Sequence, residues 1–259
     1  MHTLPTAGKG TRVARDRRRP WFRFAEVVLI PLNRAATRQQ WHGRENIPRA
    51  GGVLVVANHI SYIDPVTFGY FVNSTGRVPK FLAKAELFDH RYLGRLLDGA
   101  EQIPVHRGGE SAASSVKAAS EAVRRGACVV VYPEATITRD PGLWPMVGKT
   151  GAARIALETG APVIPCAQWG AHRILPPYAR KPELLPRKTI HARAGRAVDL
   201  ADLRGLEPTP AVLADATDRI MAAITAELET IRGERAPVER FDPRKAGIAE
   251  YGRPAGPPA

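Results

Sequence analysis

The apolar residues of this chain fall into short unbroken runs that alternate with stretches of helical spacing. Ala127 to Tyr132 is apolar throughout and bounded by Gly126 and Pro133, the pattern of a strand buried on both faces of a sheet. Val53–Val56 and Val163–Trp169 predict further strands, with shorter ones at Lys80–Ala83 and Gln102–Val105. Thr189–Ala194 sets Ile190 and Ala192 between His191 and Arg193, as a half-exposed strand would. Helices are expected at Pro65–Phe71, Glu86–Leu97, Ser111–Arg125, Gly151–Glu158 and Pro210–Arg232. In the third of these, Ser111 is placed to cap and Gly126 to stop the helix. In the last, Leu213, Ile220, Ile224, Leu228 and Ile231 keep one face. Strand and helix alternate from 53 to 169, which predicts an α/β fold: a mostly parallel sheet flanked by helices.

The ends of the chain break this rhythm. Residues 1–19 are basic and without periodicity, and read as a disordered tail. Trp21 to Arg38 reads as an amphipathic helix kinked near Pro31, with Trp21, Phe22, Phe24, Val27, Val28, Ile30 and Leu32 among arginines. Such a segment, over about residues 20–40, suits either packing on the domain or lying in a lipid headgroup layer. Trp41–Gly52 reads as a turn-rich connector and 170–187 as a Pro-rich loop. The main domain is expected over 41–232, with 233–259 an extended Pro/Gly-rich tail.

Charge narrows the partners. The formal net charge is +13, and residues 1–49 hold eleven Lys/Arg against Asp16, Glu26 and Glu45, a net of +8. Such an excess seeks nucleic acid, a phospholipid surface or a phosphorylated substrate. No nucleic-acid motif and no basic strand face interleaved with aromatics occurs, so nucleic acid is not expected. The two cysteines, Cys128 and Cys166, lie in apolar runs without metal-ligand spacing, consistent with reduced buried thiols and a cytoplasmic setting. No apolar run approaches the roughly 20 residues that cross a bilayer, and Phe24–Leu32 is interrupted by Glu26 and Pro31; neither crossing nor export is expected.

The candidate chemistry lies where strands end. Val53–Val56 delivers Asn58, His59, Ser61 and Asp64, and of the seven histidines only His59 has an aspartate five positions on. One tight turn can join that imidazole and carboxylate into a general base, although a capped turn with a satisfied histidine gives the same spacing. Arg107, the pair Glu134 and Thr136, and Cys166 with Gln168 follow other strands of the same sheet, whose carboxyl ends share one rim. A base, an arginine and a Glu/Thr corner could activate a hydroxyl beside an anionic group. A metal hydrolase would need more ligands than the sequence spaces suitably.

Asn58-His59-x4-Asp64-Pro65, Ile103-Pro104-Val105-His106-Arg107, Tyr132-Pro133-Glu134-Ala135-Thr136 and Ala161-Pro162-Val163-Ile164-Pro165 together resemble the four ordered blocks of the glycerolipid acyltransferase family. The likeness is closest to the bacterial lysophosphatidate acyltransferases and covers roughly residues 40–200, and Lys84-Ala85-Glu86-Leu87-Phe88 resembles the family's basic K-x-E-L segment. The resemblance implies transfer of an acyl group from acyl-CoA or acyl carrier protein to a lysophospholipid hydroxyl, with no resident cofactor or metal. It implies His59 as base, Asp64 as its orienting partner and Arg107 as the ligand of the acceptor phosphate. Glu134 and Thr136 would line the acceptor pocket, with Lys84 adding charge. The Pro162–Pro165 block would shape a wall for the acyl chain, and the protein would work peripherally on an anionic membrane, at its cytoplasmic side. The third block departs from the family pattern: Ala135 stands where Gly is usual and Ile137 where Arg is usual, while Arg139 comes two residues late. Either Arg139 swings back to the phosphate or the acceptor headgroup is held differently, which leaves open another lysophospholipid or a glycolipid as acceptor; a non-catalytic binding protein for anionic lipid or nucleic acid is the alternative of a different class.

Overall fold

The computed structural model describes residue 16, residues 18–105 and residues 109–249. Seven strands form one sheet in the order β1-β7-β6-β2-β5-β3-β4, where the strands are β1 Thr37–His42, β2 Val53–Ala57, β3 Pro79–Lys84, β4 Ile103–Val105, β5 Cys128–Val131, β6 Val163–Trp169 and β7 Lys188–Ala194. Every pairing is parallel except β6 with β7. The helices are α1 Pro20–Ala36, α2 Asp64–Asn73, α3 Leu93–Gly99, α4 Gly109–Arg124, α5 Gly151–Thr159 and α6 Pro210–Arg232.

Alternation along β2 divides the core. Leu54 and Val56 face a layer built from Val123 of α4, Ile155 of α5 and Ile220, Met221 and Ile224 of α6. Val53, Val55 and Ala57 face Phe68, Phe71 and Val72 of α2. Every residue of β2, β5 and the first six of β6 is buried, as central parallel strands covered on both sides must be. The carboxyl ends of β2, β3, β4, β5 and β6 therefore open on a single edge.

The amino-terminal segment differs from its expected course. The helix ends at Ala36, and Thr37–His42 runs as an edge strand paired with β7 rather than as helix and connector. The sequence T-R-Q-Q-W-H hides its alternation because two of its three inward positions, Thr37 and Gln39, are polar, with Trp41 the third, while Arg38, Gln40 and His42 are exposed. Asp16 is held, not free: its carboxylate receives Arg77 Nε at 2.7 Å and the Val78 amide at 2.8 Å. Arg77 is fully buried and spends its other N–H groups on the carbonyls of Pro48, Gly51 and Gly126. Residues 1–15 and 17 lie outside the described residues.

Helix α1 lies against α2 and α3. Phe22 is buried with Val78 and Ala100, Trp21 packs on Gly99 and Arg34 Nε donates to the Tyr70 hydroxyl at 2.7 Å. Trp21 stays partly exposed, and Phe24, Val27, Val28 and Leu32 are exposed along the same helix. Among the described residues no helix is long and apolar enough to cross a membrane.

Three other expectations shift. The span Glu86–Leu97 is not one helix but a 3₁₀ turn, Ala85–Leu87, followed by α3. Helix α4 begins at Gly109, so Ser111 lies inside it and is not its cap. The tail beyond α6 is not extended where it is described: Phe241 O accepts the Val147 amide at 3.1 Å and Arg240 pairs with Asp218 at 2.9 Å. It follows Arg232, the last residue of α6, whose guanidinium lies 3.9 Å from the Trp144 ring and 4.4 Å from the Trp169 ring.

Candidate active site

At the end of β2 the chain is locked before it turns. Asn58 Nδ2 donates to the Gln168 carbonyl at 3.1 Å, while Gln168 returns its backbone N–H to Asn58 Oδ1 and its Nε2 to the Asn58 carbonyl, each at 2.9 Å. The next residues form a turn that the first residue of α2 closes. Asp64 Oδ2 accepts the backbone N–H groups of Ile60 at 2.7 Å and Ser61 at 2.9 Å. The same oxygen meets His59 Nδ1 at 2.8 Å. A carboxylate oxygen accepts only, so the bond places the imidazole proton on Nδ1 and the lone pair on Nε2. Asp64 is fully buried, whereas His59 keeps 16% of its side chain exposed. Nε2 bonds no group among the described residues.

The backbone of His59 is gripped from β5. Its N–H donates to Glu134 Oε1 at 3.0 Å, and its carbonyl accepts the Thr138 amide at 2.8 Å. Glu134 Oε2 accepts the Met146 amide at 3.0 Å. Glu134 is 2% exposed. Burial pushes its carboxyl up to about 8, against the pull of the Met146 and His59 amides, and Asp64 adds to the rise. Its carboxylate thus faces the chain carrying the histidine, rather than an open pocket.

The rest of this turn accounts for the unusual third block. Ala135 adopts φ +57°, the left-handed region that glycine enters without cost, so the backbone keeps a glycine-type conformation with an alanine in it. Ile137 is packed inside, and its carbonyl accepts the Tyr178 hydroxyl at 2.8 Å. Thr136 is half-buried beside the same hydroxyl. Arg139 is buried with its guanidinium 5.8 Å from the Tyr178 ring centre, and its amide meets Met146 Sδ at 3.1 Å.

Lys84 ends β3 on the same edge as His59, exposed and 3.1 Å from Glu86. Arg107 lies outside the described residues, two positions past the end of β4. Ser61 is fully buried and its Oγ donates to the Leu175 carbonyl at 2.7 Å, which makes it a pin for the loop after β6. Both cysteines are buried, and burial pushes the Cys128 thiol up to about 12. Among the described residues no cluster of three His, Cys, Asp or Glu side chains could hold a metal ion. A cavity of about 540 Å³ between α6 and residues 236–245 is lined by none of these site residues.

Sequence reasoning passed over Tyr132. Its ring lies parallel to the His59 imidazole, with centroids 4.3 Å apart and planes 10° from each other. The signal available was position alone: it follows the buried run of β5, the strand beside β2.

A histidine anchored through Nδ1, with its other nitrogen open at a rim, can take a proton from a hydroxyl. A family model described as Acyltransferase matches residues 38–169. The chain is 34% identical over 155 residues to the chloroplastic 1-acyl-sn-glycerol-3-phosphate acyltransferase BAT2 of Brassica napus, covering 59% of this chain and 42% of that protein. It is 29% identical over 132 residues to the 1-acyl-sn-glycerol-3-phosphate acyltransferase of Bacillus subtilis, covering 50% of this chain and 61% of that one. The chain spans about half the length of the curated relatives it matches. Its fold is that of the 1-acyl-sn-glycerophosphate acyltransferase PlsC from Thermotoga maritima, with TM-score 0.61 and 21% identity over 83% of this chain and 84% of the other. With the family match taking in half of its length, including the whole His59–Asp64 turn and the strands that support it, the chain belongs to the Acyltransferase family.

Proposed function

We propose that this protein transfers a fatty acyl group from a thioester donor, acyl-CoA or acyl carrier protein, to the free hydroxyl of 1-acylglycerol-3-phosphate, giving phosphatidate. The observation that carries the reading is the bond between His59 Nδ1 and Asp64 Oδ2, which leaves Nε2 as the free base on the sheet's carboxyl edge. The relatives' names supply the acceptor class.

In this mechanism Nε2 takes the proton as the acceptor oxygen attacks the thioester carbonyl. Asp64 stabilises the imidazolium that forms. The tetrahedral intermediate then collapses with loss of the thiolate, which recovers the proton from His59, so one ester forms and one thioester breaks. No acyl-enzyme is required, in keeping with a Ser61 hydroxyl already committed to the Leu175 carbonyl. No resident cofactor or metal takes part. Arg107 binds the acceptor phosphate through its planar fork, with Lys84, Thr136 and Arg139 as further contacts to the headgroup. Glu134 serves the acceptor by holding the His59 turn in place.

The lysophospholipid acceptor resides in a bilayer, and the exposed apolar side chains of α1 with its flanking arginines suit an anionic headgroup layer, on the cytoplasmic side of the cell membrane. Ile137, buried where the family usually carries Arg, favours keeping a larger headgroup as the second reading of the acceptor. A panel of lyso-acceptors with one labelled acyl-CoA, product identified by mass, tests both. Phosphatidate formed fastest supports the proposal; a different dominant product replaces the acceptor, and no transfer to any lysolipid overturns the reaction.

A further inference from the structure

Three rings are stacked along the carboxyl edge of the sheet. Phe81 of β3 lies 6.0 Å from Tyr132 at 26°, and Tyr132, just past β5, lies 4.3 Å from His59 at 10°. The imidazole is therefore constrained twice: Asp64 fixes Nδ1 and the phenol ring fixes the plane. The Tyr132 hydroxyl is buried beside Gln168, although neither it nor Gln168 Oε1 completes a bond of hydrogen-bonding geometry. Burial and the nearby Asp64 hold the phenol in its neutral form.

An aromatic face is electron-rich, and it attracts a cation more than a neutral ring. In general-base catalysis the imidazole is neutral before the reaction and positive in the transition state, so a face-on aromatic ring stabilises the second state selectively. Among the described residues the titratable groups bonded to His59 are Asp64, at Nδ1, and Glu134, at the backbone N–H, whose carboxyl burial pushes up to about 8; Gln168, from β6, is neutral and reaches the turn through Asn58. Asp64 compensates the imidazolium within the ring plane, and its face remains for Tyr132 to cover.

We infer that Tyr132 is a positioning residue for the base, whose ring, rather than its hydroxyl, orients the His59 imidazole and favours its protonated form. The inference rests on His59 being the general base of the proposed reaction. It predicts a specific division between ring and hydroxyl: a phenylalanine keeps the stack, and an aliphatic residue removes it.

The test uses the full chain with Tyr132→Phe and Tyr132→Leu, and Tyr132→Met, whose flexible side chain fills irregular space, where Tyr132→Leu does not fold. Two readouts are taken. One is thiol release from acyl-CoA with lysophosphatidate as a function of pH. The other is the NMR titration of the His59 ring protons without substrate, assigned by comparison with His59→Gln. Tyr132→Phe is expected to stay within about threefold of the parent kcat. The aliphatic variant should lose about tenfold in kcat with both KM values within about twofold, and both its His59 titration and the acid limb of its rate profile should move to lower pH. An unchanged His59 titration in the aliphatic variant overturns the inference, as does a Tyr132→Phe variant that falls as far as the aliphatic one. Should the parent chain transfer no acyl group, the reaction reading fails while the titration still decides the stack.

Discussion

Glu134 and His59 are joined through the backbone: the buried carboxylate accepts the histidine's amide proton at 3.0 Å. The acid that the family resemblance assigns to the acceptor pocket is committed to the loop that bears His59. Its carboxyl titrates near 8 because burial outweighs the two amides that favour its charge. Below about 4.5 both the folded and unfolded chains carry that proton; between there and 8 only the folded chain does, so the stability this group contributes is lost as pH rises. The difference in stability between the parent and Glu134→Gln should therefore fall across pH 5 to 8, with a slope of up to about 1.4 kcal/mol per pH unit. Urea unfolding at a series of pH values measures it, and parallel curves would contradict the assignment.

Replacing the base should remove the chemistry without removing the fold. His59→Ala is expected to lower kcat for thiol release by about 10² to 10⁴, with thermal unfolding near the parent value. Asp64→Asn should be comparably inactive but less stable, because Oδ2 also holds the Ile60 and Ser61 amides. Full turnover by a folded His59→Ala protein would remove His59 from the mechanism.

Ala135 carries a cost that glycine would not. At φ +57° its Cβ opposes the backbone, and Ala135→Gly should stabilise the protein by about 0.5 to 1 kcal/mol, after the greater unfolded-state freedom of glycine is subtracted. A Tm increase of roughly 2 °C with unaltered kcat is the expected result of a thermal scan. A lower Tm would mean that the turn gains more from the methyl group than it loses.

The Asp16–Arg77 pair anchors the entry to α1 below the sheet. Arg77 is fully buried, so Asp16→Ala leaves a guanidinium with three carbonyl partners and no counter-charge. Loss of about 3 kcal/mol or more in denaturant unfolding is expected. A loss below 1 kcal/mol would show that water replaces the carboxylate.

The outward stripe of α1 makes a prediction about surfaces and none about stability. Phe24→Ser with Val28→Thr and Leu32→Gln alters exposed side chains only, so Tm should hold while co-sedimentation with anionic phosphatidylglycerol vesicles drops at least fivefold. Equal binding by the triple variant would move the membrane contact elsewhere.

What could be read from the chain followed burial. The central strands announce themselves because residues such as Val53–Val56 and Val129–Val131 face protein on both sides, leaving no polar position to confuse the pattern. His59 and Asp64 were legible because their contact is local, closed within one turn. Strand β1 was not, since its six residues owe their conformation to β7, some 150 positions away, and not to their own pattern. The orientation of Glu134 and the stacking of Tyr132 were hidden for the same reason: each depends on the register of β5 against β2, which spacing along one strand does not encode.

The restraints around His59 also bear on the order in which the chain folds. His59 is tied to Glu134 across 75 residues, Asn58 to Gln168 across 110 and Ser61 to Leu175 across 114. Contacts that close long loops form late, because their entropy must be met before they contribute. A refolding chain should therefore regain helical signal before the proposed acyl transfer, which would make that activity the stricter measure of whether this molecule has finished folding.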